Sequence, residues 1–145
     1  MIASPTQGDV PVTVQLPVAT GTFGDKPTLT FPDVAAPADL QVVVLEPGDG
    51  EMVVAGDDLV VNYLGQTWGG AIFDNSYDRG TPISFPIGLG AVIAGWDEGL
   101  VGRQIGSRLL LSIPPHLGYG PRGMPAAGIK GTDTLVFVVD IVGVN

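Results

Sequence analysis

The sequence contains no cysteine and a single histidine, His116. The first absence excludes disulfides, thiolate zinc sites and a cysteine nucleophile. The second excludes a multi-histidine metal centre within one chain, and no metal or cofactor is expected. Basic residues are scarce, with 6 Lys and Arg against 15 Asp and Glu, for a formal charge of −9. Nucleic acid is therefore not an expected partner, because phosphate binding needs a clustered basic surface. An anionic bilayer surface is disfavoured for the same reason. No apolar run approaches the roughly 18 residues of a membrane span. Met1-Ile2-Ala3-Ser4-Pro5 has neither a basic n-region nor an apolar h-region, so no signal peptide is expected there. The expected compartment is the cytoplasm by default, or extracytoplasmic if a leader has been removed. Charged residues make up only 14%, too few for a long solvated helix or a coiled coil.

Glycine (22) and proline (13) are abundant in the 145 residues. The hydrophobic fraction of 45% argues against disorder. Length and composition together point to one folded, loop-rich, mostly β domain. Residues 1–38 differ from the rest and read as a Pro-rich extended segment or linker, since each proline removes a donor and biases its predecessor away from helix. Val12–Leu16 alternates apolar and polar residues and is a candidate strand. Lys26–Pro32 also reads as extended, and Ala35–Ala38 as a stiff linker. The boundary is expected near residue 38, with the domain over 39–145.

Within that domain Leu40–Leu45, Leu59–Leu64, Ala71–Asp74, Pro82–Phe85, Arg108–Ile113 and Thr134–Val144 read as strands. The last run is nearly all β-branched or aromatic, as in a central strand or one covered on both faces. Ile93, Trp96 and Leu100 share one helical face, and Gly99 and Gly102 end that helix quickly. The expected fold class is α+β: a twisted antiparallel β-sheet of five or six strands wrapped around one short α-helix.

Candidate chemistry is sparse. Gly88-Leu89-Gly90 begins like a dinucleotide loop, but Ile93 occupies the third glycine position. Ile105–Leu109 lacks the glycines of a nucleophile elbow, and a structural or surface role suits His116 better than a catalytic one. Asp74 and Arg79 read either as a surface ion pair or as the support of a loop that shapes a cleft. Tyr63, Phe73, Phe85, Trp96, Tyr119 and Phe137 read first as core. Trp96 on the sole helix, facing Tyr119 on a Gly- and Pro-rich loop, would instead make an apolar cleft with a phenol at its rim.

Five blocks carry a resemblance. Val61–Gly65, Phe73–Ser76, Val92–Leu100, Ile113–Gly120 and Leu135–Phe137 resemble, in order and spacing, the FKBP-type peptidyl-prolyl cis-trans isomerases, and the actinobacterial members in particular. The resemblance spans about Leu40 to Val144. It implies an FKBP-like fold and an isomerase (rotamase) that accelerates rotation about Xaa-Pro bonds in proteins and assists their folding. A binding-only FKBP-like chaperone or peptide adaptor is the alternative. By motif position Asp74, Tyr119, Phe73 and Tyr63 are implied as catalytic. Ile83, Val92, Ile93, Trp96, Met124, Ile129 and Phe137 are implied to bind substrate, with Arg79 orienting Asp74. The implied partners are proline-containing peptides and unfolded protein clients, with macrolide inhibitors such as tacrolimus or rapamycin, and the protein is expected to be a monomer. Three positions depart from the commonest pattern: Ile83 stands where an aromatic is frequent, Ala91 replaces a polar residue, and Met124 stands where histidine is familiar. Every motif residue lies at or beyond Tyr63, so the leading segment is expected to be dispensable for activity.

Overall fold

The computed structural model describes residues 14–145. In chain order the strands are β1 (Val18–Ala19), β2 (Leu29–Thr30), β3 (Gln41–Glu46), β4 (Asp58–Thr67), β5 (Ile72–Asn75), β6 (Ile83–Pro86), β7 (Arg108–Ile113) and β8 (Leu135–Val144). The helix α1 (Ala94–Leu100) lies between β6 and β7. The main sheet has six strands, in the spatial order β3-β7-β8-β4-β5. Strand β6 pairs with the first half of β4, where Val61 faces Ile83 and Asp58 faces Pro86. Every pairing in this sheet is antiparallel. This is the expected fold class.

Side-chain alternation in the strands sorts the core into two layers. On one face Leu135, Phe137, Val139 and Ile141 of β8 join Leu109, Leu111 and Ile113 of β7, and Leu59, Val61 and Tyr63 of β4. On the other face lie Val136, Val138, Leu110 and Leu64. Both faces of β8 are covered, which explains its nearly continuous apolar sequence. Each fully buried aliphatic side chain contributes about 1.5–3 kcal/mol by leaving water.

The helix closes the first face. Gly95, Trp96, Gly99 and Leu100 are its buried residues. A Cβ on Gly95 would stand 2.6 Å from Ile113 Cγ2, and one on Gly99 would stand 2.7 Å from Leu111 Cδ2. The two glycines thus let the helix rest directly on β7. No side chain caps its N-terminus. Asp97 instead reaches back to accept from Gly88 N–H at 2.7 Å and Gly90 N–H at 2.9 Å, tying the preceding loop to the helix.

The second face is covered by residues of the leading segment. Strands β1 and β2 form a small antiparallel pair. Leu29 is buried against Leu64, Leu110, Val136 and Val138, with Leu16, Ala19 and Phe31 packed around them. Phe31 meets Trp68 edge to face at 5.5 Å, and the Trp68 indole donates to the Val34 carbonyl at 3.1 Å. The expected strand over Val12–Leu16 begins outside the described residues, and the strand seen nearby is Val18–Ala19. The expected extended run Lys26–Pro32 contains β2.

A charged pair is sealed under the same segment. The side chains of Arg108 and Asp140 are 1% and 0% exposed. Arg108 donates to both Asp140 oxygens, at 2.7 and 2.9 Å, and to the Asp25 carbonyl at 2.5 Å. Asp140 accepts further from Gly24 N–H at 2.8 Å and from the Tyr77 hydroxyl at 2.7 Å. A buried pair is tolerable only when its remaining hydrogen-bonding capacity is met in this way.

Between β7 and β8 the chain forms three short 3₁₀ turns, Pro115–Leu117, Gly120–Arg122 and Pro125–Ala127. Each has proline in its first positions, where the missing N–H is harmless and φ is already set. The Gly- and Pro-rich sequence of this stretch predicts loop, and the turns are its local form.

Candidate active site

The helix, the loop before it and the sheet enclose a cavity of about 480 Å³. Trp96 lies at its base, placed there because α1 rests on β7 through Gly95 and Gly99. The Trp96 ring packs against three others: Phe137 at 5.1 Å, Phe85 at 5.2 Å and Tyr63 at 5.4 Å between centroids. Phe73 stands edge to face on Phe137 at 5.6 Å. Gly65 of β4 makes room for that contact, since a Cβ there would stand 2.7 Å from both Phe137 and Phe73. Offset and edge-to-face pairs of this kind each add about 0.5–1.5 kcal/mol beyond area burial, so the base is rigid. The Trp96 indole N–H is buried and has no hydrogen-bond partner among the described residues.

Ile83, Val92 and Ile93 complete the apolar walls. Ile93 precedes the helix and its carbonyl accepts from Trp96 N–H at 3.0 Å. Its own N–H is taken by no hydrogen bond among the described residues. Tyr119 lines the opposite side, immediately before the second 3₁₀ turn.

The polar rim is one connected group. The Tyr63 hydroxyl donates to Asp74 Oδ2 in a short hydrogen bond. Arg79 donates to Asp74 Oδ1 at 2.6 Å and to the Tyr63 oxygen at 3.0 Å. Partial burial pushes the Asp74 carboxyl upward, but the hydrogen bonds from Tyr63 and Arg79 outweigh it and hold it below its ordinary value. Burial and the bond to Asp74 push the Tyr63 phenol up, and burial and the Asp74 charge do the same to Tyr119. Around neutral pH the rim therefore holds one carboxylate, one guanidinium and two protonated phenols.

The cavity brings together Tyr63, Phe73, Asp74, Ile83, Val92, Ile93, Trp96, Tyr119 and Phe137. Arg79 stands behind Asp74, outside the lining. Met124 and Ile129 are not in the lining: they bridge each other in the loop after Tyr119, with Ile129 buried in the core. Sequence reading passed over Gly90 as a wall residue; its positive φ and its bond to Asp97 set that wall, and only the glycine pair before the helix hints at it. Among the described residues no group of acidic or histidine side chains is arranged to hold a metal.

Fold and cleft define an α+β domain with an apolar cleft on an aromatic base and hydrogen-bonding groups at one rim. Residues 50–142 match the family model described as FKBP-type peptidyl-prolyl cis-trans isomerase. The chain is 44% identical over 121 residues to the FK506-binding protein of Streptomyces anulatus, covering 83% of this chain and 98% of that one. Its fold is similar to that of AtFKBP13, with a TM-score of 0.69 and 34% identity over 76% of this chain and 96% of that one. It is also similar to FkpA from Escherichia coli, with a TM-score of 0.66 and 46% identity over 73% of this chain and 48% of that one. The chain belongs to the FKBP-type peptidyl-prolyl cis-trans isomerase family. It is an enzyme that accelerates rotation about Xaa-Pro bonds.

Proposed function

We propose that the reaction takes place in the Trp96 cleft, with the substrate proline ring lying on the indole. The observation that carries this is the Trp96 ring, braced by Tyr63, Phe137 and Phe85 and open to the cavity on one side. Phe73, Ile83, Val92 and Phe137 act as walls. The Ile93 N–H and the Tyr119 hydroxyl donate to carbonyls flanking the proline.

Rotation about Xaa-Pro faces a barrier of about 18–20 kcal/mol because the planar amide loses resonance. No bond to carbon is made or broken, so no nucleophile is required. The twisted amide has a weaker carbonyl dipole than the planar one. An apolar enclosure disfavours the planar, water-stabilised form relative to the twisted form. Fixed donors hold the peptide in the turn that presents the amide for twisting. Asp74 lies beside that amide as a carboxylate held by Tyr63 and Arg79, and its role is electrostatic rather than proton transfer.

The same cleft takes macrolides of the tacrolimus (FK506) class, supported by the similarity to a protein named as an FK506-binding protein. The catalytic domain is residues 39–145, and its clients are proline-containing unfolded chains. The test is cis-trans exchange in a short Xaa-Pro peptide with the protein present. Asp74→Val and Phe73→Ala should each lower catalysis about tenfold, or about 1.4 kcal/mol of barrier. Tacrolimus should compete with the peptide. Two folded variants with parental rates would overturn the assignment of the site.

A further inference from the structure

The rim carboxylate and its guanidinium partner are carried by one short turn. Asp74 ends on one side of it and Arg79 on the other, with Asn75, Ser76, Tyr77 and Asp78 between. For Asp74 to hold a fixed place beside the reacting amide, this turn must not rock. One anchor is strand β4 itself. Ser76, fully buried, accepts from Tyr63 N–H at 2.9 Å and donates to Asn62 Oδ1 at 2.8 Å.

The other strong anchor comes from the far face of the sheet. The Tyr77 ring packs against the second core layer with Leu64, Leu110, Val136 and Val138. Its hydroxyl donates at 2.7 Å to Asp140 Oδ2. That carboxylate cannot shift, because Arg108 grips both its oxygens and Gly24 N–H holds one from the leading segment. Lys26 of that segment also bonds Asp78 at 2.9 Å, but this contact is exposed and contributes little. Burial and the Asp140 bond keep the Tyr77 phenol protonated, so it stays a donor across the working pH range.

We infer that Tyr77 is a positioning residue for the isomerase reaction, fastening the turn that carries Asp74 and Arg79 to the buried Arg108–Asp140 pair on the opposite face of the sheet. The inference rests on the cleft reading above. It gives the leading segment a part in the site's support, since Gly24 completes the carboxylate to which Tyr77 is tied. The segment is then not neutral for activity, contrary to what the positions of the motifs lead one to expect.

Tyr77→Phe in the full chain removes the hydroxyl and keeps the ring. The comparison variant is Leu110→Val, which leaves a small void in the layer under the Tyr77 ring and removes no hydrogen bond of the turn or of Asp140. Two quantities are read on each: kcat/KM for an Xaa-Pro peptide, and the titration of the Asp74 carboxyl followed by its carbon chemical shift. The groups that face Asp74 are Tyr63, Arg79 and Tyr119. The expected result for Tyr77→Phe is a loss of about threefold or more in kcat/KM. Its Asp74 titration should also move upward, toward the ordinary aspartate value, as Tyr63 and Arg79 lose their alignment. Leu110→Val should lower the melting temperature without moving that titration. Parental kcat/KM and parental Asp74 titration in folded Tyr77→Phe would overturn the inference. So would an equal shift of Asp74 in Leu110→Val, which would mark the effect as general loosening. If Asp74→Val itself leaves catalysis intact, it is the cleft reading that fails; if Asp74→Val is slow and Tyr77→Phe is not, only this inference fails.

Discussion

Tyr63 stands edge to face on Trp96, 5.4 Å between ring centres and 80° between planes, while its hydroxyl donates to Asp74. One residue thus belongs to both halves of the cleft. Its ring is part of the apolar base, and its oxygen is part of the polar rim. The Arg79 guanidinium, 5.7 Å from the centre of the same ring, adds a cation over its face. Any change that moves the Tyr63 ring is therefore felt at the Asp74 carboxylate.

Trp96 and Trp68 are on opposite sides of the sheet, one at the cleft base and the other against Phe31 and the Val34 carbonyl. Binding of a proline-containing peptide should change the emission of Trp96 alone. Titration of Trp68→Phe should keep the response and Trp96→Leu should lose it. The reverse pattern would place the binding site on the wrong face.

Asp74 has a lowered pKa in the folded protein, so the sign of its pH effect is fixed. Its contribution to stability is present above its unfolded value and is lost as pH falls through the lower folded value. The contribution is small because the ion pair is nearly half exposed. Catalysis should therefore persist from neutral pH down through about pH 4, where ordinary aspartates titrate. The raised phenol of Tyr63 should likewise leave no basic limb below about pH 10. A kcat/KM profile, with circular dichroism to show that the chain is folded, checks both limits. An acid limb near pH 5 that vanishes in Asp74→Asn would contradict this account.

Arg108 and Asp140 form a pair sealed from solvent, with side chains 1% and 0% exposed. Asp140→Leu should lower the unfolding free energy by about 3–5 kcal/mol, because it strands a guanidinium inside the protein. Arg108→Met combined with Asp140→Leu should cost less than Asp140→Leu alone. Urea unfolding of the two variants decides the matter. A loss below about 1 kcal/mol in Asp140→Leu would give the pair the energetics of a surface contact.

The sheet was largely legible because burial on both sides of a strand leaves a mark in composition. Arg108–Ile113 was read to the residue, and Thr134–Val144 to within one. The helix was legible from three apolar positions, Ile93, Trp96 and Leu100. The cleft was legible in another way: its lining residues are scattered along the chain, and the resemblance of the motif blocks rather than any local pattern joined them. Met124 and Ile129 come by the same route; they bridge each other across the turn at Gly128 and are not part of the cavity lining. What the sequence could not disclose was the cover on the far face of the sheet. Prolines argue against helix in the leading segment, and none forms over residues 14–38, but nothing in an extended, Pro-rich segment reveals that Leu29 and Phe31 will find Leu64 and Trp68. That packing depends on residues tens of positions away, and so did the tie from Tyr77 to Asp140.

The helix under the cleft has two glycines in seven residues. Each weakens an isolated helix by about 1 kcal/mol relative to alanine, and helices shorter than about 12 residues hardly form alone in water. It takes shape only against Leu111 and Ile113, and β7 is itself held by β8 through pairings such as Leu111 with Phe137. Strand β4 likewise waits for β8, pairing Leu59 with Val144 and Gly65 with Phe137. A chain emerging from the ribosome with β8 still unmade has no aromatic base, no settled helix and no place for a proline. The domain is silent until β8 joins the sheet, and the appearance of its activity reports that this strand is paired on both sides.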